Sequence, residues 1–140
     1  MEVRWRKRIR LPEERYLAPG RVWHVTIGTA RRMPVFTDHD LARVVAGEMV
    51  ERCAVRGASL EVYCLMPDHA HLIVKIGGAG LVDVMRDVKA RTTRVWWAHG
   101  GSGVLWQRSF YDRGMRSKDE YGATVRYVVE NPVRAGSVED

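Results

Sequence analysis

The chain has 140 residues, 46% hydrophobic and 29% charged. That suffices for one compact domain with an apolar core and leaves little room for a second. Its 23 lysines and arginines against 17 acidic residues give a formal net charge of +6, which favours polyanionic partners because basic groups release counterions from a phosphate backbone. Nothing approaches the roughly 20 apolar residues of a membrane span, and the basic start MEVRWRKRIR lacks the apolar block of a secretory signal. A cytoplasmic protein is therefore expected.

In chain order, residues 1–20 carry Arg4, Arg6, Lys7, Arg8 and Arg10, then Pro12, Pro19 and Gly20. They read as a basic, partly irregular arm, either a solvated tail or a DNA contact. From Arg21 to Thr29 the β-branched and aromatic residues Val22, Trp23, Val25, Thr26 and Ile27 predict a strand. Thr37 and Asp38 are N-cap candidates for a helix with Leu41, Val44, Val45 and Met49 at helical spacing. Gly57 is its predicted terminator.

Leu60 to Met66 and His69 to Ile76 predict two strands joined by the turn signal Pro67-Asp68. The second leaves through Gly77-Gly78-Ala79-Gly80, which lacks the lysine and Ser/Thr of a phosphate-binding P-loop. Cys53 and Cys64 are too few for a disulfide framework and read as buried free thiols. A long helix then aligns Leu81, Val84, Met85, Val88, Thr92, Val95 and Trp96 on one stripe, with Arg86, Lys89, Arg91 and Arg94 off it. Phe110 to Met115 predicts a shorter strand. Ser117 with Glu120 three residues later forms a capping-box pattern for a last helix, which is predicted to stop at Asn131-Pro132. Strand, helix, strand, strand, helix, strand is the split βαββαβ order of ferredoxin-like α+β folds, here followed by a C-terminal helix.

Chemistry concentrates in the hairpin YCLMPDHAHLIVKI. Side chains alternate along a strand, so His69 and His71 share a face and bring their imidazoles close enough to bind one divalent cation. Imidazole suits several transition metals, and an oxygen-completed site also accepts manganese or magnesium. A pair of half-buried structural histidines has equal standing on this pattern alone. In the last helix Tyr127 and Asn131 lie four residues apart on one face. Tyr127 alone reads as packing, since a tyrosine is a weak nucleophile at its free pKa. Beside a histidine-bound cation that polarises a phosphate, its hydroxyl gains a role, and the Asn131 amide oxygen is a candidate to complete the metal shell.

Three segments, YCLMPDHAHLIV, LWQRSFYDR and RYVVENPVRAG, together resemble the single-tyrosine HUH transposases of bacterial insertion sequences, the REP-associated branch above all. The resemblance runs from about Arg21 to the C-terminus. It implies a ferredoxin-like antiparallel sheet with helices on one face plus a C-terminal helix carrying the nucleophile. It also implies that His69-Ala70-His71 is the HUH motif and that Asn131 matches the polar residue completing a magnesium or manganese site. Tyr127 would then be the nucleophile, forming a 5′-phosphotyrosine link and leaving a free 3′ hydroxyl on single-stranded, hairpin-forming DNA ends.

Arg86, Lys89, Arg91 and Arg94 become candidates to follow the DNA backbone, and Arg108 and Arg113 to hold phosphate. Trp97 is placed either to stack on a base or in the core. Many relatives carry histidine where Arg113 stands, and Tyr111 is the rival nucleophile. Such transposases often pair, so a homodimer would let Tyr127 serve its own or its partner's histidines. Two alternatives stand beside this reading: a non-catalytic or domesticated protein that binds single-stranded or hairpin DNA, and a histidine-hairpin hydrolase unrelated to DNA. The hydrolase would require a third strong ligand, for which Asp68 is the near candidate.

Overall fold

The computed structural model describes residues 18–115 and 117–135, with side chains through Glu130. The basic stretch from Arg4 to Arg10 lies outside the described residues. The elements are β1 (Val22–Gly28), α1 (His39–Val55), β2 (Ser59–Met66), β3 (His69–Lys75), α2 (Leu81–Ala98), β4 (Tyr111–Gly114) and α3 (Lys118–Ala135), with two short 3-10 turns between β1 and α1. The strands form one sheet in the order β2-β3-β1-β4, and all three pairings are antiparallel. This is the expected α+β ferredoxin-like arrangement.

Alternation along the two central strands divides the molecule. Trp23, Val25 and Ile27 of β1 and Ala70, Leu72 and Val74 of β3 are all at most 1% exposed. They pack with Leu41, Val45 and Met49 of α1 and Leu81, Val84, Met85 and Val88 of α2 into the main core. On the opposite face α3 closes a smaller cluster of Cys64, Met66, Ile73, Met115 and Val128, with Tyr121, Val125 and Tyr127 packed against it.

A β-bulge between Leu60 and Val62 marks where β2 changes its allegiance between the faces. Leu60 packs against the main core and Val62 against the α3 cluster. Beside them Glu61 accepts a hydrogen bond from the Tyr121 hydroxyl at 3.2 Å, tying α3 to the sheet edge. Burial and the Glu61 carboxylate push the Tyr121 pKa up. Both cysteines are free and buried, and burial pushes each thiol up to about 11.

Asp38 caps α1 by accepting from the Leu41 amide at 3.1 Å. Thr37 instead closes a 3-10 turn by donating to the Pro34 carbonyl. Val44, expected inward, is 42% exposed. Gly57 ends the helix region at φ +74, and a Cβ there would stand 2.9 Å from the Gly78 amide nitrogen. A Cβ at Gly77 would likewise collide with the Gly57 carbonyl. The glycine-rich exit of β3 is thus a close backbone crossing, possible only without side chains.

At the start of α3 the Glu120 amide donates to Ser117 Oγ at 3.1 Å. The Glu120 carboxylate also accepts from Arg113, its Oε2 lying 3.1 Å from Nε and 2.8 Å from Nη2. The helix also does not stop at Asn131-Pro132 as the sequence predicts, but continues to Ala135. Proline biases its preceding residue away from helix and removes one donor, yet its own φ of about −65° is helical. One lost bond does not end a helix already seated by Val128, which is fully buried.

Candidate active site

The α3-facing side of the sheet is built by the residues that alternate with the main core. Strand register sets Cys64, His71, Thr26 and Tyr111 in one row across the four strands and Ile73, His24 and Arg113 in the next, with His69 opposite Gly28 at the end. Cross-strand partners share a face. One surface therefore holds three histidines, a threonine, a tyrosine and an arginine.

His69 and His71 stand as the hairpin predicts, with ring centroids 5.0 Å apart. His69 Nδ1 lies 2.8 Å from Asp68 Oδ1. Asp68 also accepts from Arg32 Nε at 3.1 Å. Burial tends to raise the Asp68 pKa, but the hydrogen bond to His69 and the Arg32 charge outweigh it and hold the carboxyl below its usual range. Asp68 thus serves as an anchor for the first histidine. Arg31 and Arg32, at φ 54 and 55, hold the adjacent loop in the left-handed region that non-glycine residues rarely adopt.

His71 is 1% exposed. Its Nδ1 lies 3.1 Å from His24 Nε2 and 3.3 Å from Thr26 Oγ1. Its Nε2 is buried and has no hydrogen-bond partner among the described residues, a state that costs about 1–3 kcal/mol unless a ligand fills it. Burial, with the neighbouring His24 and His69, depresses the His71 pKa to about 3. Burial and the Arg113 charge depress His24 to about 4. Both rings are therefore neutral near pH 7, the form in which imidazole binds metal.

This donor set fits a cation. Nδ1 of each hairpin histidine is already engaged, so a metal would meet the Nε2 atoms, and at His71 that atom is the orphaned one. Among the described residues no group of three or more His, Cys, Asp or Glu side chains could hold a metal ion. Further ligands would have to be other oxygen donors. Asn131 is placed in α3 by its backbone, and its side chain lies outside the described residues.

Tyr127 reaches this cluster from α3. Its ring lies edge-on to His71 at 5.5 Å between centroids and to His24 at 6.4 Å. Tyr111 occupies the same face of the sheet, in the Thr26 row.

A family model for IS200-like transposases matches residues 21–131. The chain belongs to this transposase family. Among solved structures, a REP-associated tyrosine transposase bound to a REP hairpin is similar at TM-score 0.72 and 22% identity, covering 98% of this chain and 76% of the other. A protein from Deinococcus radiodurans R1 assigned as a transposase is similar at TM-score 0.58 and 22% identity, covering 79% and 88%. At this identity the likeness is one of fold. No curated protein matches the chain.

The basic residues of the transposase are spread over both sides of the sheet. Arg86, Arg91 and Arg94 are exposed on α2, which packs on the face opposite the histidines. Arg86 pairs with Asp83 at 2.8 Å. Arg91 stands 4.0 Å from Asp87, which is buried and bound by Arg52 of α1 and by Arg56 just past its end, at 2.9 Å each. Burial works to raise the Asp87 pKa, and the hydrogen bonds from the two guanidiniums outweigh it. Asp87 is thus a buried tie between α2 and the end of α1.

Lys89 turns toward the sheet edge, donating to the Arg108 carbonyl at 2.7 Å. Arg108 is exposed beside Trp106, which is buried and donates to Thr92 Oγ1 at 2.8 Å. Arg113 is on the histidine face and is held by Glu120. Trp97 is 50% exposed, with its indole N–H on the Gly103 carbonyl at 2.9 Å. Sequence reasoning missed His24 and Thr26. Their signal was present in VWHVTIG, where every second residue from Trp23 is apolar and the intervening His24 and Thr26 are polar.

Proposed function

We propose that this transposase is a metal-dependent single-stranded DNA nickase and strand transferase whose nucleophile is Tyr127. The observation that carries the reading is the meeting of Tyr127 with the His71 and His24 rings beside a buried, unpartnered His71 Nε2. Membership of the transposase family supports it, as does a structural neighbour solved with a REP hairpin.

In this reading His69 and His71, with Asn131, hold magnesium or manganese. When bound, the cation supplies Lewis-acid polarisation of a phosphate oxygen. The chain's own residues do the rest. α3 delivers the Tyr127 hydroxyl to the phosphorus, and the new bond from Tyr127 Oη to phosphorus forms as the bond to the 3′ oxygen breaks. The phenolic proton leaves to solvent and the departing 3′ oxygen takes one up, giving a 5′-phosphotyrosine and a free 3′ hydroxyl. Attack by a 3′ hydroxyl reverses the step, so rejoining needs no nucleotide cofactor. Arg108 and Arg113 contribute phosphate contacts, the basic row of Arg86, Lys89, Arg91 and Arg94 on the far face meets the DNA away from the cleavage point, and the substrate is a single-stranded, hairpin-forming end. A homodimer would hold two ends, with Tyr127 serving the histidines of its own chain or those of its partner.

Manganese and oligonucleotides copied from the DNA flanking the gene provide the test, with denaturing gels read for a protein–DNA adduct. The adduct is expected to need manganese and His71 and to vanish in Tyr127→Phe. An adduct surviving Tyr127→Phe would move the nucleophile, with Tyr111 next. Tight strand binding without an adduct would favour the non-catalytic hairpin-binding alternative.

A further inference from the structure

We propose that His24, together with Thr26, holds His71 in the one imidazole tautomer able to bind a cation, so that His24 is a positioning residue of the metal site. This rests on the reading of His69 and His71 as ligands. His24 Nε2 and His71 Nδ1 stand 3.1 Å apart. At that distance two lone pairs repel and two N–H groups clash, so a single proton lies between the rings.

If that proton is on His24, His71 must carry its own on Nε2. The result is a buried N–H with no acceptor among the described residues and no lone pair for a metal. If the proton is on His71 Nδ1, it donates to His24, and His71 Nε2 presents a bare lone pair. Only the second arrangement leaves Nε2 open to a cation, which is what the reading of His71 as a ligand requires.

Thr26 Oγ1, at 3.3 Å from His71 Nδ1 and 3.4 Å from His24 Nε2, joins the two rings. In the second arrangement its hydroxyl oxygen accepts a share of the Nδ1 proton. The two hairpin histidines are thus anchored alike at Nδ1, His69 by the Asp68 carboxylate and His71 by an imidazole. Partners of this kind fix ring orientation and raise ligand basicity, and losing one typically weakens metal binding 10–100-fold.

His24 and Thr26 reach His71 from the neighbouring strand. Because Thr26 is directly opposite His71 and His24 opposite Ile73, the contact depends on strand register, and no other strand residue could replace it without a register shift.

The decisive measurement is a long-range proton–nitrogen correlation spectrum of the metal-free wild-type protein at neutral pH, together with calorimetric titration by Mn2+. His71 is expected to show a protonated Nδ1 and a bare Nε2. His24→Leu should weaken Mn2+ binding about 10–100-fold with near-UV circular dichroism retained, and His24→Gln, whose amide oxygen accepts the same proton, should recover most of the affinity. A purely packing role for His24 predicts no such rescue. A protonated His71 Nε2 in the wild type would overturn the proposal, as would unchanged Mn2+ affinity in a folded His24→Leu. Should His24→Leu fail to fold, the wild-type spectrum still decides. Wild type that takes up no Mn2+ yet shows the bare Nε2 would break the metal reading while leaving the positioning of His71 by His24 standing.

Discussion

The two faces of one sheet are made of the same strands and obey opposite rules. Toward α1 and α2, β1 and β3 present six apolar side chains, each at most 1% exposed. Toward α3 the alternate residues of those strands include His24, Thr26 and His71, buried just as deeply at 6%, 2% and 1%. Burying polar groups costs free energy unless they bond one another, and here they do so incompletely. The first face is organised for stability, while the second retains an unsatisfied nitrogen on His71, whose ring meets that of Tyr127. That division is expected of an active site built on a rigid scaffold.

Several substitutions would break or sharpen this contrast. The largest effect belongs to Tyr127→Phe, which should reduce strand cleavage to background while leaving the unfolding midpoint nearly unchanged, read by adduct gels beside urea denaturation. On the opposite face Leu72→Ala should do the reverse, costing about 2–5 kcal/mol of stability and affecting cleavage only through the folded fraction. If Leu72→Ala left stability intact, or Tyr127→Phe collapsed the fold, the division of labour between the faces would be wrong.

Acid should expose the polar face next. His24 and His71 are held near 4 and 3 against the ordinary imidazole value of 6.5, so unfolding takes up protons below that value. Stability of the metal-free protein is then fully present above pH 6.5 and falls by on the order of 1–3 kcal/mol toward pH 4. The carboxylates Asp68 and Asp87 are shifted below 3.8, so their share is lost only at lower pH. Urea unfolding with a chelator, at pH steps from 7 to 4, checks the slope, and His24→Gln with His71→Gln should flatten it. A flat wild-type profile would mean the imidazoles are not buried neutral.

The smallest effect concerns the tie between β4 and α3. Arg113 and Glu120 are 58% and 22% exposed, so a double-mutant cycle should give no more than about 1 kcal/mol of coupling. A larger value would mean that this pair, and not the apolar cluster around Val128, seats the helix that carries Tyr127.

Much was legible in the chain. Local rules were sufficient for seven elements in their order, for the alternation that pairs His69 with His71, and for the helical spacing that sets Tyr127 beside the Asn131 backbone, because each depends on residues a few positions apart. Where α3 ends was misjudged, since the helix-breaking bias of Pro132 is local and the packing of Val128 that carries the helix past it is not. The same limit hid the second role of Glu120, whose carboxylate binds an arginine seven residues earlier.

His24 shows the boundary between the two kinds of information. Its polarity in an alternating strand is written in the sequence, and so is the position of His71. That they stand 3.1 Å apart, 47 residues distant along the chain, follows only from the antiparallel register of β1 on β3. Likewise the chain determined that Arg86, Arg91 and Arg94 lie off the apolar stripe of α2. Only the tertiary structure put that helix on the far side of the sheet from the histidines. Periodicity specifies which side of an element is apolar, because that needs only its own repeat. Which elements meet across a sheet is decided by long-range pairing, which no local pattern contains.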